Sequence, residues 1–150
     1  MGKNKIRLIA AALLLVWLAI MAVIFVRSSV RRLRSALETE LARLESGGTA
    51  LEVIAFPGGE VREFSGDEAA AAAAVARSLE YGGVKRKGAI RTEAGDYRVF
   101  IDTAEGPVWL FVRADGRGSV DCSGSFTVRV EGAGELYSVI DGLMEGGTGT

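Results

Sequence analysis

The residues of this sequence that could act as nucleophiles are one cysteine and a few serines in its C-terminal third. Cys122 is the only cysteine, and the chain contains no histidine. A reactive thiol needs a lowered pKa, which a neighbouring histidine or a helix N-terminus usually provides. Because Cys122 falls in a strand pattern and there is no histidine to activate it, we interpret it as a buried structural residue.

Ser119, Ser123 and Ser125 lie in a glycine-rich stretch, but the Gly-x-Ser-x-Gly pattern of many hydrolases is absent. A serine–lysine pair could form with Lys85 or Lys87, although no spacing links these lysines to the serines. Sixteen acids follow residue 45, but no spacing singles out a catalytic pair. A histidine-free hydrolase is therefore one alternative, and serines in turns are the favoured interpretation.

Metal and cofactor sites are also poorly supported. The segment from Asp115 to Asp121 has a faint similarity to a calcium loop, but Arg117 stands where an oxygen ligand is required. A single cysteine allows neither an intramolecular disulfide nor a multi-cysteine zinc site. Glycine-rich nucleotide-binding loops are absent. The sequence predicts no catalytic residue, no metal site and no cofactor, and Asp115-Gly116 is interpreted as a hairpin turn.

One basic cluster interrupts the acidic second part of the chain. It consists of Lys85, Arg86, Lys87 and Arg91. Residues 46–150 hold ten Lys or Arg and sixteen Asp or Glu, which gives a net charge of −6. Affinity for nucleic acid comes largely from neutralising phosphates, so we expect no nucleic-acid partner. We predict that the cluster contacts an anionic partner or the lipid surface; the alternative is a solvated strand end or loop.

An apolar segment near the N-terminus, residues 8–26, contains nineteen consecutive apolar residues between Arg7 and Arg27. As a helix it is roughly 28 Å long, close to the thickness of the hydrocarbon core of a bilayer. Neither an Ala-x-Ala-like cleavage site nor a cysteine for lipoprotein processing follows it. We predict an uncleaved signal anchor that crosses the membrane once, after a short basic tail at residues 1–7.

Cations flank both ends of this segment. They are Lys3, Lys5 and Arg7 before it, and Arg27, Arg31, Arg32 and Arg34 after it. The second group is predicted to contact lipid headgroups. The positive-inside rule is nearly balanced and leans slightly against export. A short cationic tail is hard to translocate, whereas long C-terminal domains cross largely regardless of charge. We therefore predict the N-terminus inside the cytoplasmic membrane and the domain outside.

Residues 27–45 contain good helix formers and neither Gly nor Pro, which predicts a juxtamembrane amphipathic helix. Its apolar seam consists of Val30, Leu33, Leu37 and Leu44. This seam could join copies of the chain into a homo-oligomer. About two heptads are too short for a stable coiled coil, so a helix lying on headgroups or on the domain is favoured. Residues 46–50 are predicted to be a short flexible linker.

Residues 51–145 are predicted to form one α+β domain, and residues 146–150 a disordered tail. Alternating apolar residues predict a hairpin over 51–64, and a capping box at Ser65 predicts a helix that runs to about Glu80. Gly82-Gly83 is expected to end that helix. A β-meander over 96–130 and a helix over 134–144 follow. This order predicts an antiparallel sheet with helices covering one face.

Several segments of this domain together carry a resemblance. They are GDEAAAAAAVARSLEY, YRVFID, GPVWLFVRADGRG, FTVRVEG and ELYSVIDGLM. The chain resembles the small domains of unknown function that follow a membrane or lipid anchor in many proteins of Gram-positive bacteria. The resemblance covers about residues 50–145. It implies a membrane-anchored α+β domain, and it supplies no catalytic residues.

These observations predict a non-enzymatic, membrane-tethered module that binds a protein or another partner. The main reason is that no set of residues in the sequence forms a coherent catalytic group. A structural component that self-associates within a membrane complex is the second interpretation. The histidine-free hydrolase is the third.

Overall fold

The computed structural model describes residues 2–86, 88, 91–122 and 126–146, without the side chains of Cys122 and Phe126. The chain divides into two compact units, Met1–Arg34 and Ser35–Thr150. A single helix, α1, extends over Lys3–Glu45. Its first part forms unit 1, and its last eleven residues, Ser35–Glu45, belong to unit 2.

Helix α1 contains an 18-residue window with a mean hydropathy of 3.0, and none of that window is buried in the structure. By length and composition this helix can cross a membrane. An exposed apolar surface of this size is costly in water, because each apolar residue that leaves water contributes about 1.5–3 kcal/mol. The predicted long apolar N-terminal helix is therefore confirmed.

Unit 2 is built on one antiparallel sheet of seven strands in the order β2-β1-β4-β5-β6-β7-β3. The strands are β1 Leu51–Ala55, β2 Glu60–Phe64, β3 Glu80–Arg86, β4 Tyr97–Thr103, β5 Gly106–Val112, β6 Gly118–Cys122 and β7 Phe126–Glu131, and the other helices are α2 Gly66–Arg77 and α3 Ala133–Gly146. The predicted α+β class, with a hairpin, a helix, a meander and a C-terminal helix, is confirmed.

The third strand was not predicted. The helix expected to continue to Glu80 ends at Arg77, and Glu80–Arg86 forms β3 at the edge of the sheet, paired with β7. Gly82 and Gly83 lie at a register shift between Tyr81 and Val84. The two glycines therefore mark a bulge inside a strand, which is another common position for glycine, and not the end of a helix.

The predicted capping box at Ser65 is only half correct. Ser65 is the N-cap residue of α2 and has extended backbone angles, but its side chain makes no capping hydrogen bond. Asp67 and Glu68 lie in the first turn, where negative charge interacts favourably with the helix dipole. The start of the helix was predicted correctly, and the reciprocal side-chain bonds were wrong.

One face of the sheet is covered by α2 and α3. A row of paired residues, one from each of five adjacent strands, crosses this face: Val53, Val99, Leu110, Val120 and Val128. Each is no more than 3% exposed. Helix α2 presents a buried alanine face and packs closely on α3, while α3 contacts β5. Small side chains allow this close approach, and the core lies between the two helices and the sheet.

The last turns of α1 complete the core of unit 2. Leu37, Leu41 and Leu44 are at most 2% exposed. After Glu45, the amide of Gly47 donates to the carbonyl of Leu44, and residues 46–48 form a hydrogen-bonded helix end. Of the seam residues predicted for self-association, Leu37 and Leu44 are therefore already buried inside unit 2.

Candidate functional site

The sheet face opposite α2 and α3, called the open face below, carries the polar and aromatic side chains of the meander. Because side chains alternate along a strand, the neighbours of the buried row point to this face. Arg98, Phe100, Trp109 and Phe111 occupy its centre. The ring centroids of Phe100 and Trp109 are 4.5 Å apart.

Arg98 is held at this centre by stacking. Its guanidinium carbon lies 3.6 Å from the centroid of Trp109 and 5.3 Å from that of Phe111. A cation over an aromatic face is attracted by the ring quadrupole, and the contact with Trp109 is the closer of the two. Phe111 is 6% exposed. We interpret this cluster as the structural centre of the open face.

A basic cleft of about 800 Å³ lies beside this cluster, over β6, β7 and β3. Five cationic residues line it: Lys85, Arg86, Arg113, Arg117 and Arg129. Ser119 and Thr127 contribute hydroxyl groups, and Glu131 is the single acid in the lining. The volume falls within the range of pockets that hold small organic ligands. This concentration of positive charge makes the cleft the strongest candidate site.

Strand pairing brings these residues together from distant parts of the sequence. Lys85 of β3 pairs with Thr127 of β7, and Ser119 of β6 pairs with Arg129. Directly paired residues in an antiparallel sheet point to the same face, so the four side chains share the open face. Arg117 belongs to the β5–β6 hairpin, which lies next to the start of β6 and therefore close to Ser119.

Two of the five cations already have partners. Arg117 donates to the Asp115 carboxylate over 2.5 and 2.6 Å. This pairing raises the pKa of the Arg117 guanidinium and lowers the pKa of the Asp115 carboxyl. Arg113 donates to the carbonyl of Arg91 over 2.8 Å. Both guanidinium groups are oriented by these contacts.

The other three cations have no such partner. Lys85, Arg86 and Arg129 are exposed, and none of them forms an ion pair with any residue that the structure describes. Repulsion among like charges at one place is unfavourable unless a ligand or counterions neutralise them. Lys85, Arg86 and Arg129 are therefore the positive charges of the cleft that no described acid neutralises.

The predicted basic cluster is divided by the structure. Lys85 and Arg86 line the cleft, and Arg91 supplies a backbone carbonyl to Arg113. Lys87 lies outside the described residues. Arg113, Arg117 and Arg129 were not predicted, because they lie 22 or more positions beyond Arg91 and join the cluster only through strand pairing.

The candidate nucleophiles do not form a catalytic group in the part of the chain that is described. Ser119 lies in the cleft, but it shares no hydrogen bond with Lys85, and a whole strand separates the two residues. The side chain of Cys122, together with Ser123 and Ser125, lies outside the described residues. Among the described residues no group of three His, Cys, Asp or Glu could hold a metal ion.

A second polar cluster lies on the helix-covered face. The hydroxyl of Tyr97 donates to the Asp141 carboxylate over 2.5 Å, and the rings of Tyr97 and Tyr137 are 5.3 Å apart. Burial, and then this hydrogen bond, raise the pKa of Tyr97 far above its ordinary value. Because the cluster joins β4 to α3 through a hydrogen bond and a ring contact, we interpret it as structural.

The juxtamembrane cations predicted to contact lipid lie on α1. Arg27, Arg31, Arg32 and Arg34 are all exposed. Their exposure leaves the side chains accessible to headgroups. Their contact with lipid stays a prediction.

Comparison with known proteins adds no assignment. No protein-family model matches the chain, and neither a curated protein nor a solved structure matches it. The resemblance to small anchored domains of Gram-positive bacteria therefore stays a prediction.

Proposed function

We propose that this protein is a non-enzymatic binding module, tethered by α1 and presented outside the cytoplasmic membrane, whose basic cleft binds an anionic partner. The observation that carries the proposal is the cleft itself. Five cations from β3, β7 and the β5–β6 hairpin line one cavity, and three of them are free of ion pairs with described residues.

The charge distribution of the domain supports this proposal. Half of the ten cations in residues 46–150 line the cleft, whereas only one of the sixteen acids, Glu131, does so. A local positive region in a negative domain attracts a small or flexible anion and repels a large anionic surface. This arrangement favours a limited anionic ligand over duplex nucleic acid.

The tether supports the rest of the proposal. Helix α1 is long and apolar enough to cross a membrane. Lys3, Lys5 and Arg7 oppose translocation of the segment that precedes the apolar residues, since charged groups are costly to move through hydrocarbon. The domain then lies on the outer side, which makes the partner an envelope or extracellular molecule and the protein a signal-anchor protein.

The proposal is tested with the full-length chain in micelles of a neutral detergent. Tripolyphosphate and poly-glutamate serve as anionic probes, poly-lysine as a cationic control, and binding is measured by titration calorimetry. The expected result is binding of at least one anionic probe, weakened about tenfold or more when Lys85, Arg86 and Arg129 are together changed to Gln. The same number of changes at Arg27, Arg31 and Arg32 is the matched control. Binding of neither anion, or equal binding by the cleft variant, would contradict the proposal.

Self-association is a weaker second candidate. Leu37 and Leu44 are buried in unit 2, so of the predicted seam only Val30 and Leu33 remain for contact with another copy. Two residues supply little of the apolar area that a stable interface needs. We therefore do not assign the protein a purely structural role.

A further inference from the structure

The basic cleft is too large for a single small anion. Its volume of about 800 Å³ is lined by cations from three separate elements, β3, β7 and the β5–β6 hairpin. One phosphate or carboxylate could contact only a part of this lining, and the remaining cations would stay uncompensated. The dimensions therefore indicate a ligand with more than one anionic group.

The cationic groups fall into two subsites along β7. The upper subsite, nearer the start of β7, contains Lys85 and Thr127, which are paired. The lower subsite contains Arg129 with its partner Ser119, and Arg117 lies beyond them. Thr127 and Arg129 are two residues apart on one strand face, which corresponds to about 7 Å. This separation exceeds that of two directly bridged phosphates and is closer to the span between the two outer phosphates of a tripolyphosphate.

Acidic residues near the two subsites reduce the positive charge of the cleft but do not cancel it. Glu131 lies at the rim of the cleft, and Asp121, which is 3% exposed, lies beside Thr127 in the sheet. Asp115 is engaged with Arg117. Counting these three acids against the five lining cations leaves a net positive charge. A ligand with two or more negative charges is therefore still attracted.

The donors approach the cavity from several directions. Lys85 and Arg86 extend from the edge strand, Arg117 from the hairpin, and the hydroxyls of Ser119 and Thr127 from the sheet surface below. Neither hydroxyl forms a hydrogen bond with a described residue. A planar carboxylate offers two oxygens, whereas a tetrahedral phosphate offers three and can accept from donors on several sides. Arginine is well suited to phosphate because its planar guanidinium bonds two oxygens at once.

Building on the proposed function, we propose that the basic cleft binds a soluble ligand with at least two phosphate groups that are separated by a further linking unit. One of these phosphates lies at Lys85 and Thr127, and the other lies at Ser119 and Arg129. No bond is made or broken in the ligand. The site recognises it through charge-assisted hydrogen bonds at both positions.

The test compares four probes on the full-length chain in a neutral detergent. They are tripolyphosphate, inorganic phosphate, glycerol 3-phosphate as the chemistry of a single lipid headgroup, and poly-glutamate. Tripolyphosphate is expected to bind about tenfold or more tightly than each monophosphate, because it fills both subsites. Lys85→Gln and Arg129→Gln are each expected to reduce the difference between tripolyphosphate and the monophosphates. Arg32→Gln on α1 is the control and should change nothing.

The outcomes separate this inference from the broader proposal. If glycerol 3-phosphate binds as tightly as tripolyphosphate, the two-subsite inference is wrong, although an anionic site remains. If poly-glutamate binds through the cleft as tightly as tripolyphosphate, the assignment to phosphate is wrong while the binding module stands. If no probe binds the folded chain, both are wrong. Circular dichroism and the unfolding midpoint of each variant show whether it is folded.

Discussion

Arg77, the last residue of α2, forms an ion pair with Glu45, the last residue of α1. The pair raises the pKa of the Arg77 guanidinium, chiefly through its hydrogen bond to Glu45. Both side chains are 40% exposed, and exposed ion pairs contribute little to stability. The pair instead shows that the end of α1 belongs to unit 2. The stabilisation there comes from the burial of Leu37, Leu41 and Leu44.

We expect Leu41→Ala to destabilise unit 2 strongly. Leu41 is 1% exposed, and replacing a buried leucine by alanine costs about 2–5 kcal/mol, because apolar contact is lost and a cavity remains. The matched control is Glu38→Ala, at an exposed position of the same helix. Urea unfolding followed by circular dichroism measures the difference. Equal stability of the two variants would show that α1 does not belong to the core.

Two fragments test, without point mutations, whether the end of α1 belongs to the core of unit 2. A fragment of residues 35–150 keeps all three buried leucines, whereas a fragment of residues 46–150 loses them. Their combined contribution is comparable with the whole stability of a small domain, about 5–15 kcal/mol. We expect only the longer fragment to unfold cooperatively on heating. A cooperative transition of similar midpoint in the shorter fragment would contradict this expectation.

Two glycines should respond to alanine in opposite directions. A Cβ at Gly118 would lie 2.8 Å from the Cβ of Ala133 and 3.2 Å from the carbonyl of Phe111. We expect Gly118→Ala to cost about 1–3 kcal/mol through overpacking. A Cβ at Gly142, inside α3, would meet nothing within 4 Å. Gly142→Ala should therefore stabilise by about 0.5–1 kcal/mol. Thermal unfolding of both variants checks the opposite signs.

Stability should decline in strongly alkaline solution because of Tyr97. Its pKa is raised in the folded chain, above the ordinary value of 10 that applies when the chain is unfolded. Above about pH 10 the unfolded chain loses this proton while the folded chain retains it, so the free energy of unfolding falls as pH rises. Below pH 10 the contribution is fully present.

The variant Tyr97→Phe isolates this effect. At neutral pH it should cost about 1–2 kcal/mol, because the Asp141 carboxylate loses its donor. Above pH 10 the variant should lose stability less steeply than the native chain. Urea unfolding at several pH values between 8 and about 11 measures both slopes. If the free energy of unfolding falls equally steeply with pH in both chains, Tyr97 is not the cause of the alkaline decline in stability.

The elements that follow local patterns were predictable from the sequence. The apolar helix, the hairpin and the C-terminal helix each have a clear hydrophobic period. β3 was not predicted, because Gly82-Gly83 is typical of a helix end. In addition, the partner strand of β3 is β7, which lies about 45 residues further along the chain. Edge strands depend on pairing with a distant segment, and local propensity carries little information about them.

The candidate site was only partly predictable for the same reason. Lys85 and Arg86 are neighbours in sequence, so their charge was visible as a cluster. Arg129 joins them only because β7 pairs with both β3 and β6. The burial of Leu37 and Leu44 was likewise hidden, because an apolar seam looks the same whether it meets another copy, a membrane surface or its own domain.

The most direct measurement for a tethered module outside the membrane is the topology of the full-length chain. A reporter active only outside the cytoplasm and one active only inside are fused, separately, to the C-terminus, and both fusions are expressed in a bacterial host. We predict activity from the outside reporter alone, since the charged tail before residue 8 resists translocation. Activity from the inside reporter alone would contradict this arrangement. Arg27, Arg31, Arg32 and Arg34 would then be the cytoplasmic positive charges, and the basic cleft would face cytoplasmic ligands.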